Sequence, residues 1–492
     1  MITFGPVWHP DIAAINTPVC IEARNVLPGP SAFRPVRSPV TTTNALNGVC
    51  RGAAIVLKND GSTVQFAASP DKLYKLTAST FTDVSRTVGG AYLTVPGERM
   101  RFITFGQTII ATNGQDVPQV FDTTSSTNFT ALPGSPPLAR YIETVRDFVV
   151  LGALTGNEKR IHWSGLANSN FWTPGTQSCD YQDFNSGGPI RGLLGGSVGY
   201  VFQQQRITRM TFVPGNTTGT PGGGLIFQFD EVQGQKGLAA PNSLVRVGDV
   251  AYYYSTDGFY KFDMNSGQQI PIGTNKWRRF FLNDIRSGTE LNMLGAADPV
   301  NPIVFWPYIS RDNSGLVPDR VLIYDWSLDE ATFADITVEA VATWLTTGVT
   351  LDTMNSFGTM ETLPYSLDSP FWRGGSALLA LFGIDHKLAF LQGPNLAARV
   401  TTADGQGAGR SFISGTRPMV DASGVTVALA LRERDADAIT YAAAERMEDT
   451  GVCPAHISGN LGRAQIVIPA GQTWTLLKGI DDMIGTKSRG RR

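Results

Sequence analysis

Five aromatic residues that end strand-like segments recur at nearly constant intervals along the first half of the chain. They are Tyr74, Phe121, Trp163, Phe212 and Tyr260, and the intervals are 47, 42, 49 and 48 residues. Propeller blades repeat about every 40 to 50 residues, because each small sheet must stack on its neighbours to bury both faces. The spacing therefore predicts a β-propeller. Tyr324 and Phe390 extend the series at 64 and 66 residues, which indicates insertions in the later blades.

Hairpin patterns lie between these markers. Residues 101–105 and 108–112 are strand-like runs on either side of Gly106 and Gln107, and residues 250–254 and 259–262 flank a second turn. Two strand-like runs joined by a glycine-containing turn are typical of a β-hairpin. The chain also contains 53 Gly and 29 Pro while keeping 42% hydrophobic residues. This composition favours an all-β fold made of many short strands and turns.

The domain prediction rests on the same spacing of aromatic residues. Residues 46–400 are predicted to form the propeller, with six blades and an accepted range of five to seven. The proline-rich residues 1–45 lack the repeat and indicate an extended N-terminal arm or closing segment. Residues 401–485 are predicted to be a small C-terminal β-sandwich-like domain, because residues 425–431 alternate as a half-buried strand does and a second strand follows at 464–468. Gly405, Gly407 and Gly409 suggest a linker before these strands. Residues 436–448 are undecided between helix and strand. Residues 486–492 form a basic tail.

Charge limits the classes of function. The chain has 40 basic and 42 acidic residues and a net charge of −2. Nucleic-acid-binding proteins usually carry a basic stripe, since neutralising phosphates supplies most of their non-specific affinity. A large DNA-gripping surface is therefore not expected. The sequence contains neither a run of about 18 apolar residues nor a secretory signal, which predicts a protein made in the cytoplasm without a membrane span.

No motif indicates catalysis or a cofactor. The four cysteines lack CxxC spacing and are predicted to be buried thiols, and the four histidines form no metal-ligand pair. His162 is predicted to face a blade edge or a subunit contact. Residues 195–199 fit GxSxG, but strand-like residues follow where a nucleophile elbow needs a helix. The sequence therefore predicts a non-enzyme with no catalytic, cofactor-binding or metal residues.

Two basic segments are candidate interface or channel contacts. The first contains Lys276, Arg278 and Arg279 interleaved with aromatic residues, as in proteins that bind single-stranded nucleic acid. Packing between blades or subunits is the favoured alternative, because the segment is isolated. The second segment is the C-terminal tail, which could touch DNA or an acidic neighbour or could be a solvated terminus; its basic residues are Lys487, Arg489, Arg491 and Arg492.

Several short runs in the same order along the chain resemble the tail nozzle family of short-tailed bacteriophages, also called packaged-DNA-stabilisation, tail tubular or tail hub proteins. The runs lie at residues 25–29, 81–85, 105–114, 161–165, 171–174, 199–202, 257–260 and 468–471. None of them is catalytic, so the resemblance concerns a scaffold.

The resemblance implies a structural virion protein in the phage tail. It implies a ring, usually a homohexamer, below the portal and a tail adaptor, which retains packaged DNA and conducts the duplex during ejection. Tail fibres or a tail plug would be further partners. The alternative is a receptor- or glycan-binding tail protein, motivated by Tyr252, Tyr253 and Tyr254, and a polysaccharide-degrading propeller enzyme is a third interpretation.

Overall fold

The structure is a computed structural model. It describes residues 5–13, 15–58, 63–213, 225–346, 358–361, 363, 366–367, 375 and 377–484. Within these ranges nearly all regular structure is β-strand. The exceptions are one helix, α1 (Arg278–Asp284), and two single-turn 3₁₀ segments at Pro241–Ser243 and Glu290–Asn292.

The N-terminal segment supplies four short strands, of which the first and last pair with distant parts of the chain and the middle two pair with each other. They are β1 (Cys20–Arg24), β2 (Val26–Leu27), β3 (Arg34–Pro35) and β4 (Arg37–Thr41). The predicted arm is therefore tied into sheets along much of its length.

Five four-stranded antiparallel sheets follow one another along the chain. Their strands are β5 (Gly52–Leu57), β6 (Thr63–Ala68), β7 (Leu73–Thr77) and β8 (Thr80–Asp83); β9 (Arg101–Phe105), β10 (Thr108–Thr112), β11 (Gln119–Asp122) and β12 (Thr130–Ala131); β13 (Ala139–Val145), β14 (Phe148–Leu154), β15 (Asn157–Trp163) and β16 (Asp180–Asp183); β17 (Ile190–Leu194), β18 (Gly199–Gln203), β19 (Ile207–Phe212) and β20 (Phe227–Glu231); β21 (Val245–Val247), β22 (Val250–Ser255), β23 (Gly258–Asp263) and β24 (Gln269–Pro271).

The remaining strands complete the ring and form the C-terminal region. They are β25 (Ala296–Ala297), β26 (Ile303–Tyr308), β27 (Arg320–Asp325) and β28 (Glu330–Ala334); β29 (Ala340–Leu345), β30 (Ala377–Phe382) and β31 (Leu388–Asn395); and then β32 (Ala398–Thr402), β33 (Gly405–Val420), β34 (Thr426–Arg432), β35 (Glu445–Arg446), β36 (Cys453–Ile468) and β37 (Leu477–Ile484).

The sheets are arranged as a β-propeller, which confirms the predicted fold class. Six blades are separate four-stranded sheets, the last of them made of β29, β30, β31 and the N-terminal β4. Strands β25 to β28 form a further four-stranded meander in the same ring. The ring closes where β29 packs beside β5. Each of the seven aromatic markers predicted from the sequence lies in the third strand of one of these units.

The predicted hairpins form with short turns. Phe105 pairs with Thr108, so Gly106 and Gln107 make a two-residue turn. Gly106 has a φ of +60°, a conformation that favours glycine because it has no Cβ. In the second hairpin Ser255 pairs with Gly258, so the turn is one residue shorter at each end than the sequence suggested.

The C-terminal region is strand-rich, as predicted, and its strands join the propeller in one sheet. The order runs from β25 through β28 to the N-terminal β1, then to β32, β36, β33 and β37, with β34 beside β36 and β35 beside β34. Gly405, Gly407 and Gly409 lie in β33, so the prediction of a linker there is wrong; they pair with β36 or continue the strand across a bulge. Of the undecided residues 436–448, only 445–446 form a strand, and none is helical.

One hydrophobic core unites the N-terminal segment, two neighbouring propeller units and the C-terminal region. It contains Trp8 and Phe33 from the N-terminal segment, Phe259 and Trp306 from the propeller, and Trp474 near the C-terminus. Separate clusters between neighbouring blades hold the rest of the ring together. The propeller and the C-terminal region therefore share both a sheet and a core.

Candidate functional site at the propeller channel

A cavity of about 280 Å³ lies where the seven innermost strands converge. Its lining includes residues from β5, β9, β13, β17 and β29 and from the segments directly before β21 and β25. Because every unit contributes to it, this cavity is the central channel of the propeller. Ligand sites in ring-shaped folds commonly lie in such a shared concavity, to which several elements bring side chains.

Arg99 is held at the channel by backbone carbonyl groups. Its Nη1 donates to the carbonyl oxygen of Cys50 at 2.7 Å, and its Nη2 donates to that of Glu339 at 2.9 Å. Burial, together with the positive charges of Arg51 and Arg101, lowers the Arg99 pKa to about 10. Arg99 therefore remains charged at neutral pH but lies among like charges.

Arg101, two residues later at the start of β9, is a second cation in the cavity lining. Its Nη2 donates to the side-chain oxygen of Asn242 at 2.7 Å, and its guanidinium lies 4.8 Å from the centre of the Tyr141 ring. Stacking on an aromatic face stabilises a guanidinium without neutralising it. Burial lowers the Arg101 pKa and raises that of Tyr141.

Glu143 is the acidic group among the residues that line the cavity. Burial raises its pKa to about 7, although the Thr144 amide and the charges of Arg246 and Arg101 oppose this rise. Gly195 makes room for this side chain, since a Cβ at that position would lie 2.5 Å from Glu143 Cγ. The carboxyl group of Glu143 therefore changes charge near neutral pH.

Glu339 is buried beside the channel but its carboxylate is already engaged. Oε2 accepts from the Cys50 amide at 3.2 Å and lies 2.9 Å from Nδ1 of His386. These contacts fix β29 against the segment before β5. None of these channel residues stands out in the sequence, because they come from seven distant segments and no local motif marks them.

The predicted contact residues Lys276, Arg278 and Arg279 lie elsewhere, at the start of α1. Lys276 Nζ lies 2.9 Å from Asp329 Oδ2 and 3.2 Å from Glu330 Oε1, and Arg278 Nη2 lies 3.3 Å from Asp257 Oδ2. Arg279 is exposed. The intervening Trp277 is fully buried. Lys276 and Arg278 thus form ion pairs within the chain, which agrees with the packing alternative for this segment.

The other predicted contact residues, Lys487, Arg489, Arg491 and Arg492, lie outside the described residues. The tyrosines that motivated glycan binding are buried in β22, which contradicts the idea that they form an exposed cluster. Tyr253 packs on Phe202 and Tyr260, and Tyr254 packs on Phe259.

His162 lies inside its blade in β15, between β14 and β16, so it does not face a blade edge, and the alternative of a subunit contact stays a prediction. It is buried beside Trp172, and its Nε2 is 3.5 Å from Cys179 Sγ. A cysteine nucleophile needs a lowered pKa, whereas burial raises the pKa of Cys179 to about 12. The pair is therefore a packing contact and not an activated thiolate.

All four cysteines are free and buried, which confirms that prediction. Because thiolates are the reactive form and burial blocks access, we expect Ellman's reagent to label none of them in the native protein and all four after unfolding. The measurement is the absorbance of the released thiolate before and after adding guanidinium chloride. Rapid labelling of one thiol in the native protein would contradict the packing around it.

No group of three or more His, Cys, Asp or Glu side chains in the described part of the chain is arranged to hold a metal ion. None of the helices within the described ranges has the length and apolar character that a bilayer crossing requires.

Fold and channel define a β-propeller with a strand-rich C-terminal region joined to the ring. No protein-family model matches the sequence, and no curated protein matches it. Solved structures to which the chain is similar include two extracellular-domain structures from B. thetaiotaomicron, one described as part of a one-component system and the other as part of a hybrid two-component system. Both are 11% identical with a TM-score of 0.43, and the matches cover 77% and 86% of this chain but 43% and 47% of theirs.

A computationally designed protein, Ika8, is 10% identical with a TM-score of 0.38, and the match covers 72% of this chain and all of the designed one. The chain spans less than half the length of the two bacterial domains it matches. Similarity at this level does not assign a role.

Proposed function

We propose that the protein is a non-catalytic structural component of a short-tailed phage virion, a tail nozzle subunit that assembles into a homohexameric ring below the portal and adaptor. The ring retains packaged DNA and conducts the duplex during ejection. Tail fibres or a plug are its outer partners, and the tail of the virion is its location. The family resemblance of the sequence runs supports this proposal.

The observation that carries the proposal is the continuous sheet from β25 to β37. It links the propeller, the N-terminal segment and the C-terminal region by backbone hydrogen bonds. A hinge between two domains usually passes through a linker with few contacts. Here β1 and β32 pair across the junction, so the subunit is suited to a ring that must hold its shape against packaged DNA.

The placement of charge also favours a conduit. The chain is near neutral, and Lys276 and Arg278 of the aromatic-basic segment lie in ion pairs within the chain. Because free lysines and arginines bind phosphates, a bore without a basic stripe allows a duplex to slide. In a closed ring the subunits make heterologous contacts, each binding the next through a different surface.

The test is electron microscopy together with native mass measurement. We expect rings with six times the 53.0-kDa mass of the chain, a bore wide enough for a duplex, and a position beneath the portal in virions. The protein is measured alone and within virions, so that assembly dependent on the adaptor is also detected. Single copies or trimers at fibre tips would contradict the nozzle and favour receptor binding.

A further inference from the structure

The basic groups at the propeller channel exceed the acidic groups available to neutralise them. Arg99 and Arg101 line the cavity, while Arg51 and Arg191 lie close enough to influence the pKa values of Arg99 and Tyr141 respectively. Against these four arginines stand Glu339, which acts on Arg51 and Arg99, and Glu98, which acts on Arg101. Glu143 adds a third negative charge only above about pH 7, near its pKa of about 7. The channel therefore carries a net positive charge at and below neutral pH.

Several guanidinium donors in this group make no hydrogen bond within the described part of the chain. Nε of Arg51 and Nε of Arg191 are buried and make no hydrogen bond to any described residue. Arg101 uses Nη2 for Asn242, and no bond within the described ranges occupies its Nη1 or Nε. Buried donors left unpaired are costly, and like charges brought together add to that cost.

We propose that the propeller channel binds a small oxyanion between Arg99 and Arg101, opposite Asn242 and Tyr141. An oxyanion there would accept from the unused Nη1 and Nε of Arg101 and reduce the repulsion among the arginines, because guanidinium forks match carboxylate and phosphate oxygens. A cavity of about 280 Å³ admits a small anion and not a nucleic-acid strand. The site is thus separate from the proposed passage of DNA, which would use the bore of the assembled ring.

The probes are sodium sulfate, which represents a tetrahedral oxyanion such as phosphate, and sodium acetate, which represents a carboxylate. Binding to the full chain is measured by titration calorimetry and by thermal unfolding, with sodium chloride at matched ionic strength as the reference. We expect saturable binding of at least one probe beyond the chloride reference, and the better probe identifies the class. Saturation by neither anion would overturn the proposal.

Arg101→Gln removes the cation with free donors and is expected to weaken binding about tenfold or more. The matched control is Arg140→Gln on the adjacent innermost strand, because Arg140 is paired with Glu98 and Glu158 and does not line the cavity. The control is expected to bind as the unaltered protein does. The site would be overturned if Arg101→Gln bound the anion as tightly as the unaltered protein does. It would also be overturned if Arg101→Gln and Arg140→Gln lost affinity equally.

A second measurement needs no change at Arg101. Glu143 faces Arg101, Arg246 and the Thr144 amide, and its protonation on lowering the pH from 8 to 6 makes the channel more positive. Sulfate and acetate keep their charge over this range, so binding is expected to be about threefold tighter at pH 6. Glu143→Gln should bind at pH 8 as tightly as at pH 6. A pH dependence that persists in this variant would place the anion elsewhere.

Discussion

Replacing Asp404 by Asn is expected to lower the free energy of unfolding by about 3–5 kcal/mol. Asp404 has an exposed fraction of 4% and lies between two arginines that are themselves mostly buried. Arg463 binds it through Nε and Nη2 at 3.0 and 2.8 Å, and Arg432 donates from Nη2 at 2.8 Å. The substitution would leave Arg463 without its carboxylate partner and Arg432 with only the exposed Asp435. Breaking one side of a buried ion pair is strongly destabilising.

The matched control for this prediction is Asp435→Asn. Asp435 binds the same Arg432 at 2.7 Å, but its side chain has an exposed fraction of 71%. Exposed ion pairs contribute about 0–1 kcal/mol, because water screens them and both side chains lose freedom. Chemical denaturation of the three proteins measures the difference. Equal losses in the two variants would show that burial does not set the strength of this contact.

The repeat of the blades could be predicted from the sequence because it is a local signal. Each third strand ends in or contains an aromatic residue that packs between blades, so Tyr74, Trp163 and Tyr260 mark the ring without any long-range information. The spacing also indicates insertions in the later blades, because Tyr324 and Phe390 follow at longer intervals.

The junction of the propeller with the C-terminal region could not be predicted in the same way. It depends on pairs such as Arg24 with Phe333 and Ala23 with Val400, which are far apart in sequence. Alternation of hydrophobic residues shows that a strand is half buried, but it does not show which strand is its partner. The glycines at 405, 407 and 409 illustrate this limit, because glycine is common both in linkers and in bulged strands.

The channel site was missed for a related reason. Arg99, Tyr141 and Asn242 meet only because the ring closes, and each is unremarkable in its own segment. Lys276 and Arg278 gave a stronger signal of a binding site than the channel residues did, because they stand in one short run with aromatic residues. That signal arose from a buried tryptophan flanked by intramolecular ion pairs.

The second large effect is expected at Trp8, which fixes the N-terminal segment to the rest of the molecule. Trp8 is fully buried, and its ring centre lies 5.0 Å from that of Phe280 and 5.3 Å from that of Phe333. Removing a buried aromatic side chain leaves a cavity and costs about 3–5 kcal/mol. Trp8→Ala is therefore expected to lower the unfolding free energy by about that amount, measured by chemical denaturation.

The same substitution should also change where proteases cut. Because Trp8 joins the N-terminal segment to α1 and β28, its loss is expected to increase native-state cleavage among residues 5–20 before the propeller unfolds. Ile15→Ala is the matched control in the same segment, since Ile15 has an exposed fraction of 38% and its truncation should cost about 0.5 kcal/mol or less. If Trp8→Ala is no less stable and no more easily cleaved than Ile15→Ala, the N-terminal segment does not depend on this contact. If cleavage rises together with the loss of stability, the shared core joins the segment, the propeller and the C-terminal region into one cooperative unit.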